Sequence, residues 1–196
     1  MNKSWIILGV VGLLILFLVF SVVGSYNSMV TKDEAVSGQW SQVENVYQRR
    51  ADLIPNLVNT VKGYAAHEKE TLEGVVNARA KATSTSIDAS KLDAEAIKKF
   101  TAAQDGLSSA LSKLMVVVEK YPDLKANQNF LELQAQLEGT ENRITVERQK
   151  FNEAAKDYNT FIRKFPRNIW AGMFGFDKKD YFEAAEGSEK VPTVQF

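Results

Sequence analysis

Residues 36–64 read VSGQWSQVENVYQRRADLIPNLVNTVKGY. Val36, Trp40, Val43, Tyr47, Ile54, Leu57, Val61 and Tyr64 recur at spacings of three and four, with Arg50 in the same register. That spacing lays them along one stripe of an α-helix, and alternating threes and fours make the seam of helices packed at shallow angles. Two more seams lie downstream. One runs through Phe100, Ala103, Leu107, Ala110, Leu114, Val117 and Tyr121. The other runs through Phe130, Leu133, Leu137, Thr140, Ile144, Glu147, Phe151, Ala154, Tyr158, Ile162 and Phe165. No stretch alternates with period two between turn signals, so no sheet is expected. The fold class is all-α: an antiparallel, up-and-down bundle of three to four long helices.

The breaks follow the punctuation. Thr83 to Ser90 is rich in Ser and Thr and separates the first helical stretch from the second. Tyr121-Pro122 and Phe165-Pro166 end the next two, because a proline disfavours helical geometry in the residue before it. Pro55 falls inside the first seam, where a proline removes one backbone hydrogen bond and crowds the preceding turn. Either one long helix kinks there, the preferred reading, or two helices meet with Pro55 in the first turn of the second. A short amphipathic helix is expected around residues 178–186, followed by a flexible tail over 187–196 that has little to bury.

Upstream of the seams, residues 6–23 read IILGVVGLLILFLVFSVV, 18 residues without a charge. About 20 residues cross a bilayer core, with a lower limit near 17. Trp5 and Tyr26 flank the run, as aromatic residues do at membrane interfaces. Val23-Gly24-Ser25 would serve as a cleavage site, but the run is longer than the apolar core of an ordinary signal peptide, so a retained span is the better reading. The resulting organisation is a flank at 1–5, a transmembrane helix at 6–25, a bundle domain at 26–186 and the tail. Lys3 and Lys32 nearly balance across the span; the free amino terminus tips the count towards an N-terminus inside and a domain on the periplasmic side of a bacterial inner membrane.

The chain carries 24 basic and 24 acidic residues and no cysteine. A near-neutral balance gives no field to recruit nucleic acid. The lack of cysteine excludes disulfides, thiolate metal sites and cysteine nucleophiles. The one histidine, His67, is followed by Thr71 where a zinc protease would place its second histidine. Nothing in the spacing of carboxylates, glycines or serines forms a catalytic arrangement, so neither an enzyme nor a cofactor is expected.

Two features stand out instead. Arg50, Thr140 and Glu147 lie on the apolar lines, with Asp52, Glu141 and Arg148 close by in sequence. A charge facing a bundle core must find a partner or lift out to water, so Arg50, Asp52, Glu141, Glu147 and Arg148 are candidates for a polar layer that fixes helix register. The second feature is residues 169–176, IWAGMFGF, with Tyr181-Phe182 behind them. Trp170, Met173, Phe174, Phe176, Tyr181 and Phe182 either cap the open end of the bundle or form an apolar patch for a partner subunit or the lipid surface.

Several strings resemble the LemA-like family. RADLIPNLV at 50–58 is similar to its first signature, continued by Val61-Lys62-Gly63-Tyr64, His67-Glu68 and Ala78-Arg79. YPDLKAN at 121–127 with Phe130 resembles the second, and LEGTENRI at 137–144 with Arg148 the third. Tyr158-Asn159, Phe165-Pro166, Ala171-Gly172, Phe174-Gly175-Phe176 and Tyr181-Phe182 complete the pattern, and Tyr26-Asn27 belongs to it as well. Phe151-Asn152 departs from it by one hydroxyl, where the family commonly has Tyr-Asn. The resemblance implies a transmembrane helix followed by an antiparallel bundle, with no established reaction. It also implies a candidate partner, a membrane protein with a TPM-type domain, because such proteins are often encoded beside family members. A relative takes part in building magnetic organelles, which implies a membrane-organising role. The expected function is therefore a non-enzymatic membrane-anchored scaffold that self-assembles as a homo-oligomer. The alternative is a binding or regulatory module for another envelope protein.

Overall fold

The computed structural model describes residues 3–89 and 92–183. Helix α1 spans Lys3–Tyr64, α2 Lys69–Ser84, α3 Ala94–Val118, α4 Pro122–Lys125, α5 Gln128–Arg163 and α6 Arg167–Phe174. No strand occurs among the described residues. Residues 3–24 of α1 stand apart from the rest, and none of their most apolar window is buried. From Met29 onward the same helix enters the core. It therefore passes through residues 25 and 26, the expected domain boundary, without interruption, and reaches about 93 Å at 1.5 Å per residue.

The bundle runs up, down, up and down. α1 rises to Tyr64, α2 returns beside it, α3 rises again, and α5 descends antiparallel to α1. Gln39 Nε2 meets Glu147 Oε2 at 2.6 Å, and Lys32 Nζ lies 5.5 Å from the Phe161 ring centre. The lower end of α5 is thus level with the first buried turn of α1. Asp93 and Asn127 cap α3 and α5 by accepting from the amides of Ala96 and Phe130, as Asp and Asn do at N-caps. Pro122 occupies the first turn of α4, where its missing N–H costs nothing.

Pro55 lies inside one continuous helix, as the preferred reading has it, and does not begin a second. The helix continues past it for nine residues and breaks instead at residues 65–68, between α1 and α2. An N–H at position 55 would have donated to the Ala51 carbonyl, and proline has none. That freed carbonyl accepts from Arg79 Nε of α2 at 2.7 Å. The unmade bond inside α1 becomes a bond between α1 and α2, which offsets the disruption.

The expected helix at 178–186 is also corrected: residues 175–183 are not helical. Gly175, at φ 74°, ends α6 in the left-handed conformation that glycine adopts without strain, and Phe176 N–H donates to the Ala171 carbonyl at 2.9 Å. The chain then turns back along α5. The expected tail at 187–196 and the end of that helix, 184–186, lie outside the described residues.

Candidate functional site

The core divides into two apolar clusters. The lower holds Trp40, Tyr47, Phe100, Ile144, Phe151 and Tyr158; the upper holds Ile54, Leu57, Leu107, Leu114, Phe130 and Leu137. Arg50 sits between Tyr47 and Ile54, Gln104 between Phe100 and Leu107, and Thr140 between Leu137 and Ile144. A single polar layer therefore crosses α1, α3 and α5 at one level.

Arg50 is only 2% exposed. One guanidinium nitrogen donates to Glu141 Oε2 at 2.8 Å and to Ser108 Oγ at 3.0 Å. The other donates to Gln104 Oε1 at 2.8 Å and to the Gln104 carbonyl at 3.3 Å. The guanidinium also lies 5.1 Å from the Tyr47 ring centre. Gln104 Nε2 reaches the Ala82 carbonyl at 3.3 Å, extending the network to the last turns of α2. The Glu141 side chain is 57% exposed, so only the cation is desolvated.

The other candidates lie elsewhere. Asp52 is exposed and accepts from Gln48 one turn earlier. Glu147 accepts from Lys150 and Gln39, and these hydrogen bonds, the Lys150 one foremost, hold its carboxyl below the usual range despite some desolvation. Arg148 donates to the Glu183 carbonyl at 3.1 Å and lies 4.7 Å from the Phe182 ring centre. Gln104 and Ser108, which complete the layer, carried no signal in the sequence. Their helix could be phased against α1 only once the α2–α3 hairpin was in place.

The aromatic segment divides in two. Phe182 is buried and stacked on Trp40 at 5.8 Å, with Phe151 edge-on at 5.4 Å. Residues 176–183 form a strap against α5, held by two asparagines. Asn159 Nδ2 donates to the Lys179 carbonyl at 2.7 Å, and its Oδ1 accepts from the Lys179 amide at 2.9 Å. Asn152 grips Phe182 in the same way, with both bonds at 2.9 Å. Seven residues of helix advance about 10.5 Å, and three residues of extended chain about 10 Å. The two clamps are therefore in register with the strap. Phe151-Asn152 and Tyr158-Asn159, an aromatic–asparagine pair repeated after seven residues, were the available signal for this arrangement. Lys179 adds an ion pair of 2.9 Å to Asp33 of α1.

At the foot of the bundle, Tyr26 packs edge-on against Phe174 at 5.2 Å and Phe176 at 5.7 Å. Trp170 packs against the lower core. Met173, by contrast, is 67% exposed. So Phe182, Tyr181, Phe176 and Trp170 belong to the cap, while Met173 and part of Phe174 face outward. No group of three or more His, Cys, Asp and Glu that could hold a metal ion occurs among the described residues.

The LemA family model matches residues 39–196. Magnetosome protein MamQ of Magnetospirillum gryphiswaldense and Magnetosome protein MamQ 1 of Paramagnetospirillum magneticum are each 31% identical to the chain over 188 residues, covering 87% of it and 69% of the relative. Protein LemA of Metamycoplasma hominis is 25% identical over 167 residues, covering 85% of the chain and 73% of the relative. The matched region begins within α1 and takes in the arginine layer, the Pro55–Arg79 bond and the clamped strap, and on that breadth of similarity the chain belongs to the LemA family.

Proposed function

We propose that the protein is a membrane-anchored, non-enzymatic scaffold that self-assembles, its bundle held at the surface of a bacterial inner membrane. One observation carries this reading: an exposed apolar segment long enough to span a bilayer continues, within one helix, into a bundle whose polar groups are spent on packing. Such a segment left in water would expose far more contiguous apolar surface than a soluble chain tolerates. Most polar residues at the arginine layer and strap bond to one another. Kinship with MamQ and LemA proteins supports a membrane-associated helical protein.

The test is mass photometry of the full chain in a mild detergent, with carbonate extraction of native membranes beside it. A large, discrete oligomer that stays with the membrane supports the scaffold. A monomer that co-purifies with one different membrane protein at fixed stoichiometry, such as a TPM-domain protein, replaces it with the binding-module reading.

A further inference from the structure

The foot of the bundle carries an apolar stripe that no described residue covers. Phe165 is 81% exposed, Ile169 50% and Met173 67%, and they follow one another at intervals of four residues through the turn and along α6. Their depth is fixed by α1. The apolar run ends at Val23, and Tyr26 lies three residues further, about 4.5 Å along the helix axis. The contacts of Tyr26 with Phe174 and Phe176 hold the end of α6 at that level. The headgroup layer is some 5–7 Å thick on each side of the hydrocarbon. With the span inserted, the end of α6 therefore lies within that layer.

Basic side chains outnumber acidic ones there. Residues 163–178 hold Arg163, Lys164, Arg167 and Lys178 against a single acid, Asp177. Arg167 lies 4.1 Å from the Phe161 ring centre, on the side of α5 where Lys32 also sits. Apolar side chains beside cations, at headgroup depth, are the composition of an interfacial helix on an anionic surface.

We propose that α6 and the turn before it form a second membrane contact, with Phe165, Ile169 and Met173 entering the acyl boundary and Arg163 and Lys164 meeting anionic lipid headgroups. This rests on the anchoring reading above, and the two can be tested apart.

The chain lacks cysteine, so single reporters need no other change. Ile169→Cys and Met173→Cys, each in the full chain and carrying a fluorophore, would be reconstituted in vesicles of phosphatidylcholine with phosphatidylglycerol. Phe17→Cys reports on the span, and Val116→Cys, exposed on the upper part of α3, on the aqueous side. The expected result is that labels at 169 and 173 are quenched by lipid-borne nitroxide and shielded from iodide, as at 17 and unlike at 116. Omitting phosphatidylglycerol, or adding Arg163→Glu with Lys164→Glu, should move the 169 signal towards that of 116 and leave 17 unchanged. A 169 label that behaves like 116 while 17 stays in lipid overturns the second contact and spares the anchor; a water-accessible 17 overturns both. Shielding from both quenchers that disappears on dilution into excess lipid would show a second copy covering the stripe and overturn the lipid assignment. Equal lipid quenching with and without phosphatidylglycerol removes the headgroup half of the proposal.

Discussion

Arg50 and Pro55 both look like faults in a helix and both act as joints between helices. Replacing Arg50 with Met strands the buried Gln104 amide oxygen, and an unsatisfied buried polar group costs about 1–3 kcal/mol. At roughly 2–4 °C per kcal/mol for a chain of this size, the melting temperature of Arg50→Met should fall by several degrees. The double variant Arg50→Met with Gln104→Leu should recover part of that loss, because the Gln104 amide oxygen no longer needs a donor, although the Ala82 carbonyl loses its bond from Gln104 Nε2. No recovery would show that the layer contributes more than mutual satisfaction. For Pro55, the bond from Arg79 predicts coupling. Arg79→Met should cost about 1 kcal/mol more in the parent than in a Pro55→Ala background, where the Ala51 carbonyl regains its own helical donor; urea denaturation of the four proteins measures it. Tyr158 gives a pH signature. Burial first, then the charges of Asp33 and Asp177, push its hydroxyl well above the ordinary tyrosine value. The unfolded chain ionises first, at about pH 10. Stability is therefore full below that pH and falls as pH rises above it. Melting temperatures from pH 8 to 11 should show the decline, and Tyr158→Phe should make it shallower, with Tyr47, also raised by burial, keeping a remnant. The seam positions of Arg50 and Thr140 could be read in the sequence because helical period alone sets them. The partners of Arg50 on α3 and of the Ala51 carbonyl on α2 could not, because they depend on how separate helices are phased.

Among the elements, the long helices were legible and the irregular pieces were not. α3 and α5 end close to where proline and caps foretell. The α1–α2 break at residues 65–68 contains neither proline nor glycine, and the seam gives no hint of it. The strap lies where a short amphipathic helix around residues 178–186 is expected, and residues 178–183 are not helical. In fact its backbone is held by side-chain amides, an arrangement that leaves no period in the sequence. Asn159 is the stronger clamp, since it also donates to the Tyr181 hydroxyl at 2.9 Å. Asn159→Ala should cost about 2 kcal/mol, from several buried hydrogen bonds lost together. Amide exchange at Lys179 and Phe182 reads it out: both should lose protection, while amides in the α1–α2 turn stay unchanged. Equal loss at both places would mean that the variant loosens the whole fold.

At the scale of the molecule, two apolar clusters share one bundle, and α1 and α5 run through both. Splitting them would require breaking helices across the arginine layer, so the halves should unfold together. Far-UV dichroism reports all the helices, and tryptophan fluorescence reports chiefly the surroundings of Trp40 and Trp170 in the lower half. Their midpoints should coincide in a thermal or urea scan, and separated midpoints would reveal independent halves. The all-α class, the seams and the apolar leader came from composition and period. The return of the chain to the foot of α1, which brings Phe174 against Tyr26, did not, because it pairs residues about 150 positions apart.

The absence of any joint between the leader and the bundle makes α1 a lever. From Tyr26 to Tyr64 its arm is about 57 Å long. Transmembrane helices tilt by about 20° on average, and by more in a thinner bilayer. A swing of that size about the membrane surface carries the Tyr64 end sideways by about 20 Å. A change of a few ångströms in bilayer thickness at one end of the helix is thus converted into a change of reach at the other.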